Sequence, residues 1–173
     1  MARNIEIKAY VKNLEAVTLK AATLADKGPI EIIQDDTFFA CSTGRLKLRA
    51  FSPEKGELIF YRRPDQAGPK ESFYIIAPTS TPDVLRETLS LAYGQVGRVH
   101  KHRTLFLSGR TRIHLDKVDR LGDFMELEVV LSDAESLEIG EAVAHDLMGK
   151  LGILPDQLIE GAYVDLLNQK CTR

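Results

Sequence analysis

Charged residues recur at every second position within several short apolar stretches of this 173-residue chain, and those positions are where chemistry could reside. Glu6 and Lys8 alternate with Ile5, Ile7 and Ala9, and Arg45, Lys47 and Arg49 alternate with Leu46 and Leu48. Lys101 and Arg103 share one parity; Arg110, Arg112, His114 and Asp116 oppose Ile113 and Leu115; Glu126 and Glu128 oppose Met125, Leu127 and Val129. Successive side chains of a strand point to opposite faces, so each stretch carries one apolar and one charged face. The signs are segregated, with bases gathered in the middle stretches and acids in the first and the last two. Rows of ammonium and guanidinium groups suit phosphate oxygens. Glu126 and Glu128, ~6.6 Å apart at ~3.3 Å per residue, can reach one divalent cation together.

Those stretches belong to a larger alternation of strand and helix patterns. Eight segments read as strands: 5–11, 35–40, 45–51, 58–63, 72–76, 99–107, 110–118 and 124–131. Connections such as Ser42-Thr43-Gly44, Pro53-Glu54-Lys55-Gly56 and Leu121-Gly122-Asp123 carry turn residues suited to antiparallel neighbours. Three segments read as helices. Residues 13–26 place Leu14, Val17, Ala21 and Leu24 on one stripe; Thr81-Pro82 opens a second that ends at Gly94; Ser132-Asp133-Ala134-Glu135 announces a third, running to Gly149 or Gly152. The fold class is α+β, one large antiparallel sheet flanked by helices.

Two arrangements satisfy this pattern. The sheet is either open, with its charged face in water, or closed into an eight-stranded barrel with the charges inside, where one small ligand fits. Inside, Lys8, Arg45, Lys47, Arg49, Lys101, Arg103 and Arg112 would face Glu6, Asp116, Glu126 and Glu128, seven bases against four acids. Burying that excess unpaired is prohibitive. A polyanion together with Mg²⁺ or Mn²⁺ resolves it, so the closed arrangement implies a polyphosphate-binding tunnel.

Composition narrows the classes. Lys and Arg total 23 against 25 Asp and Glu, a net charge of −2 that argues against general nucleic-acid binding. At 44% hydrophobic and 28% charged residues the chain supports a folded core. No apolar run approaches the ~20 residues of a membrane helix, and the start lacks a secretory pattern. Cys41 and Cys171 lie at no metal-ligand spacing and read as free thiols of a reducing compartment, the cytoplasm. His100 and His102 have the parity opposite Lys101 and Arg103 and read as outer residues; His145 lies in a helix without a second ligand; Phe73 and Tyr74 read as strand packing.

The sequence resembles the CYTH family, the triphosphate tunnel metalloenzymes that include class IV adenylate cyclases and thiamine triphosphatases. Five blocks carry the likeness in order: Asn-Ile-Glu-Ile-Lys at 4–8, Gly-Arg-Leu-Lys-Leu-Arg at 44–49, Val-x-Lys-x-Arg at 99–103, Arg-Ile-His-Leu-Asp at 112–116 and Leu-Gly-Asp-Phe-x-Glu-Leu-Glu at 121–128. The resemblance implies one CYTH-like domain over residues 1–173, built as an eight-stranded antiparallel tunnel. It implies Mg²⁺ or Mn²⁺ on Glu6, Glu126 and Glu128, with Asp116 as a further tunnel acid. It implies a triphosphate gripped by Lys8, Lys47, Arg49, Lys101, Arg103 and Arg112, and Arg45, of the same parity as Lys47 and Arg49, is a further candidate substrate-binding base. A further base is expected from Arg62 or Arg63, and Arg63 is favoured. The substrate would be ATP, tripolyphosphate or thiamine triphosphate, with no nucleic acid and no membrane; a homodimer is compatible with the family.

Three departures bear on the reaction. Asn4 stands where the signature carries its first Glu, removing an anionic metal ligand. Asp36-Thr37-Phe38-Phe39 resembles a block that usually carries Tyr, so a hydroxyl assigned to hydrolysis is missing. The chain has no Trp to stack on a thiamine ring. The leading expectation is therefore a cyclase acting on ATP; a triphosphatase and a polyphosphate-binding module without turnover are the alternatives.

Overall fold

The computed structural model describes residues 2–171. The eight strands are β1 (Ala2–Tyr10), β2 (Lys27–Phe39), β3 (Arg45–Ser52), β4 (Lys55–Arg62), β5 (Lys70–Thr79), β6 (Gln95–Ser108), β7 (Thr111–Val118) and β8 (Gly122–Leu131). Every neighbouring pair is antiparallel. The order β1-β5-β4-β3-β2-β6-β7-β8 returns to β1, so the sheet closes into a barrel. The period-2 alternation explains the closure. Each strand carries one apolar face that must be covered and one charged face that needs counter-charges, and a ring supplies both.

The helices α1 (Leu14–Leu24), α2 (Pro82–Tyr93), α3 (Leu137–Leu151) and α4 (Tyr163–Cys171) lie outside the ring, with a 3-10 turn at Pro155–Gln157. Asn13 caps α1 by accepting from the Ala16 amide at 3.0 Å. Together α1 and α3 cover the outer face of β1, β7 and β8, burying Ile5, Ile7, Ile113, Leu115, Leu127 and Val129 in one core. Each such side chain contributes ~1.5–3 kcal/mol. Gly140 permits the close approach of α3, because a Cβ there would stand 2.7 Å from side-chain carbons of both Ile5 and Leu131. A second core joins Phe38, Val99, Val118 and Phe124 to Ala162, Tyr163, Val164 and Leu167 of the α4 segment.

Several elements differ from the sequence expectation, and β1, β5 and β6 each start earlier than expected. β2 begins at Lys27, not residue 35, because its first half pairs with β6 alone while only 35–39 pairs with β3. The nine residues of α4 were not anticipated as a helix. The third helix opens at Leu137 behind Ser136, later than the Ser132–Glu135 box announced, and ends as expected, with Gly152 in a left-handed conformation at its C-cap. No helix among the described residues is long and apolar enough to cross a membrane.

Candidate functional site

The charged face points inward. Lys8, Lys47, Arg49, Lys101, Arg103 and Arg112 border a cavity of about 270 Å³ along the barrel, with Arg63, Glu6, Glu126 and Glu128. Buried Phe38, Val99, Ala162 and Tyr163 close one end. At the other, Ile76 is 46% exposed and the Arg112 side chain 32%, so the cavity opens to solvent.

Five carboxylates hold the cations in place. Asp116 is fully buried; it accepts from Arg103 Nε and Nη2 at 2.7 Å each, from Lys101 Nζ at 3.1 Å and from the Tyr163 hydroxyl at 3.0 Å. Burial disfavours its charge, but Arg103 and Lys101 hold the carboxyl well below its usual range. It does not border the cavity. Given by the resemblance as a further tunnel acid and a candidate metal ligand, Asp116 has both oxygens bonded to proton donors, and it fixes Lys101 and Arg103 from behind.

Asp36 does the same on the opposite wall. It accepts from Lys47 Nζ at 2.9 Å and from Arg49 Nε and Nη2 at 2.8 Å each. Two cations share this one anion. Asp36 stays ionised against its burial, whereas Lys47, crowded by Arg49 and Lys101, loses more to burial than Asp36 returns, and its pKa falls to about 7. Sequence reasoning missed Asp36; its neighbour Asp35 turns outward to Arg98. With Asp36 counted, seven cations face five acids, so the interior keeps two net positive charges rather than the expected three.

Glu126 binds Lys8 at 2.8 Å and Arg103 at 2.6 Å, and Glu128 binds Arg112 at 2.7 Å. Burial opposes the Glu128 charge, but His114 and Arg112 bring its pKa down to about 2. His114 lies opposite Glu126 in the β7–β8 register. One atom each of His114, Glu126 and Glu128 falls within 4.8 Å of the others, a grouping able to hold a metal ion. The His114 Nδ1 is buried without a hydrogen-bond partner, and burial lowers the ring's pKa, in the direction of the neutral imidazole that ligates cations. A buried orphan nitrogen beside two ionised carboxylates fits a divalent ion. His114 had been sorted to the charged face but not read as a ligand, since its companions lie on another strand.

Glu6 falls outside that grouping and pairs with Arg63, whose other nitrogen donates to the Gly161 carbonyl at 2.8 Å. Arg62 points away from the cavity, stacked over Phe60 and Phe73 at 5.8 and 5.3 Å. Arg45 has the inward parity but stands beyond the closed end, held by Asp165 at 2.7 Å and Asp65 at 3.4 Å, and does not border the cavity. Tyr61, Tyr74 and Tyr163 do border it; the Tyr163 hydroxyl is committed to Asp116, which leaves Tyr61 and Tyr74 as the tyrosines that could supply the hydroxyl absent at Phe38 and Phe39, and Tyr74 is more than packing. The Tyr163 ring lies 4.1 Å from Lys8 Nζ and 4.9 Å from Lys101 Nζ, a double cation–π contact. Asn4 and Gln34 face the cavity with buried carbonyl oxygens that lack partners. His100 and His102 sit on the outer surface, paired with Asp119 and Glu31.

The chain is similar to known proteins in sequence and fold. The CYTH domain family model matches residues 2–163. The chain is 26% identical over 176 residues to adenylate cyclase CyaB of Aeromonas hydrophila, covering 97% of this chain and 90% of that protein. Among solved structures it resembles the PH1012 protein of Pyrococcus horikoshii OT3 at 24% identity, covering 94% and 98% of the two chains, with a TM-score of 0.83. It also resembles the protein HpAC1 of Hippeastrum at 14% identity, covering 96% of each chain, with a TM-score of 0.69.

Proposed function

The chain belongs to the CYTH domain family, and on that premise we propose that it is a metal-dependent enzyme that binds the triphosphate of ATP in its barrel and forms cyclic AMP and pyrophosphate. The observation that carries the reading is the interior itself, a closed wall of seven cations that stays net positive beside one imidazole and two carboxylates grouped closely enough to hold one ion. A solvated face has no need of either.

At about 270 Å³ the cavity falls below the ~300 Å³ lower bound of ordinary ligand pockets. It suits a phosphate chain, with the nucleoside at the open end beside Ile76 and Arg112. Lys47, Arg49, Lys101 and Arg103 neutralise the bound oxygens from two walls, and Asp36 and Asp116 keep those bases oriented before substrate arrives, so little reorganisation remains at the reacting step. A divalent ion held by His114, Glu126 and Glu128 would supply Lewis-acid polarisation of phosphate oxygens. An imidazole in the set favours Mn²⁺ over Mg²⁺, which prefers oxygen ligands. Cyclisation needs the ribose 3′-oxygen to attack the α-phosphorus while pyrophosphate leaves, and the closed end excludes water from one side of the chain.

A second reading has its own support. Tyr61 and Tyr74, whose hydroxyls are not taken by Asp116, border the cavity, and HpAC1 of Hippeastrum is a cyclase-like protein in which a triphosphatase activity dominates. Chromatography of the nucleotides formed from ATP and Mn²⁺, with phosphate release from tripolyphosphate in parallel, separates the two. Cyclic AMP with pyrophosphate supports the cyclase; phosphate from tripolyphosphate without cyclic nucleotide replaces it by the hydrolase; tight binding without either product leaves a binding module. Glu128→Gln is the control, expected to abolish turnover with the fold intact.

A further inference from the structure

Resting on the nucleotide reading above, we infer that Asn4 selects a ribonucleotide: its carboxamide oxygen accepts a hydrogen bond from a ribose hydroxyl of ATP, so the mouth half of the cavity tells a nucleoside triphosphate from an inorganic one. The cavity is chemically divided along its length. At the closed end Lys8 and Lys101 crowd the Tyr163 ring. On four strands the inward positions turn neutral toward the mouth, from Glu6 to Asn4 on β1, from Asp36 to Gln34 and Ile32 on β2, to Ile59 on β4 and to Ile76 on β5. Phosphate oxygens belong with the cations of the inner half. Aliphatic walls with a few placed polar groups suit the organic half of a ligand.

Asn4 carries an unmet requirement in that half. It is 3% exposed and borders the cavity, and its Oδ1 is buried with no hydrogen-bond partner among the described residues. Gln34 presents a second such oxygen from β2, halfway round the ring, so the cavity asks for a ligand that donates. A buried carbonyl left unpaired is costly, and a donor that reaches it recovers the cost. Tripolyphosphate brings oxygens that accept; a ribose brings two hydroxyls that donate. Register puts Asn4 where the sugar falls. Tyr74 lies opposite Ala2, while Arg112 lies opposite Glu128 and Glu128 opposite Glu6, so Asn4 is midway between those two levels on β1. The Tyr74 hydroxyl accepts from Arg112 Nη2 at 3.5 Å, and since β1 and β8 separate their strands, the two side chains meet in front of Asn4. That contact roofs the amide and leaves it facing inward. Phosphates gripped deeper in the cavity set the ribose against Asn4, with the base outside the roof beside Ile76. A carboxylate at this position would set a negative charge against the phosphates; the carboxamide accepts without one.

The test is titration calorimetry on the full chain, without metal so that no turnover intervenes, with ATP, 2′,3′-dideoxy-ATP and tripolyphosphate against the parent and Asn4→Leu. The parent should bind ATP at least tenfold more tightly than the dideoxy nucleotide, because a site built for a hydroxyl rejects the analogue that lacks it. Asn4→Leu should bring the two nucleotides within twofold of each other and keep tripolyphosphate within twofold of the parent, which also reports an intact cavity. Leucine is close to asparagine in size and removes an unpaired carbonyl, so the ligand-free variant should melt no lower than the parent. A parent indifferent to the hydroxyls, a variant that keeps the discrimination, an equal loss of ATP and tripolyphosphate, or a lower melting temperature would each overturn the inference. Cyclic AMP formed by the parent in any of those cases leaves the proposed function standing. Tight tripolyphosphate with no binding of ATP would overturn the nucleotide reading and this inference with it.

Discussion

Lys47 is the point at which the cavity's electrostatics can be read most directly. Its ammonium is stripped of water by burial, repelled by Arg49 and Lys101 and only partly compensated by Asp36, so its pKa falls from 10.5 to about 7. At neutral pH about half the ligand-free molecules carry an uncharged amine there. A triphosphate brings anionic oxygens to that amine and restores the proton, so binding takes a proton from solution. Affinity for tripolyphosphate should fall as pH rises. At pH 9 about one molecule in a hundred is protonated beforehand, a loss of about 100-fold or about 2.8 kcal/mol. Titration calorimetry without metal, in buffers of differing ionisation enthalpy, measures both uptake and affinity. The comparison is Lys47→Arg, since a guanidinium stays charged throughout and the ligand's own protons cancel. The parent should take up about half a proton more at pH 7 and lose affinity more steeply above it. Equal proton uptake and parallel pH profiles would refute the reasoning. Stability follows with a definite sign. The folded pKa lies below the unfolded one, so between pH 7 and 10.5 the unfolded chain binds more protons, and the ligand-free protein gains stability from this group as pH rises.

Asp116→Asn should cost about 3–5 kcal/mol in urea unfolding, because it leaves Lys101 and Arg103 buried without their shared anion. Asp36→Asn should lower the melting temperature of the free protein and weaken tripolyphosphate about tenfold, roughly 1.4 kcal/mol, since Lys47 and Arg49 lose the anion that orients them and helps keep Lys47 charged; tighter binding would show that Asp36 competes with the ligand instead of aiming its partners. Gly140→Ala should destabilise by about 1–2 kcal/mol despite alanine's better helix propensity, because the new methyl meets Ile5 and Leu131; an unchanged unfolding midpoint would mean that α3 can shift freely on the barrel.

The ring of strands was legible because alternation is a strong local signal, and the parity that put Lys8, Lys47, Arg49, Lys101 and Arg103 on one face is the parity that turns them into the cavity. What escaped was set by neighbours distant in sequence. Asp35 and Asp36 are adjacent acids of opposite parity, and the inward one is decided by pairing with β3 and β6. His114 gains its ligand character from Glu126 and Glu128 across the β7–β8 ladder, a register no spacing along one strand reveals. Arg45 keeps its inward parity yet lies past the closed end, because Asp165 of α4 draws it away. The α4 segment itself is short, follows Gly161 and packs only when the barrel mouth is already formed, so its propensity alone said little.

The ladder that joins β1 to β8 also sets the order in which the protein can be made. Hairpins β3–β4, β4–β5, β6–β7 and β7–β8 assemble from neighbouring stretches as the chain is synthesised, but β1 pairs with β5 and β8 alone and must wait for them. Lys8 meets Glu126 only at that last zipping, across more than a hundred residues, and Tyr163 arrives later still to close the end. Until then the cationic rows of β3 and β6 lie bare on an unfinished sheet, attractive to any polyanion nearby and slow to be covered, because long-range pairing is the slow part of folding. The carboxylates that serve the finished cavity as anchors are thus also the nascent chain's own safeguard, since Asp36 travels one hairpin away from Lys47 and Arg49 and can occupy them early.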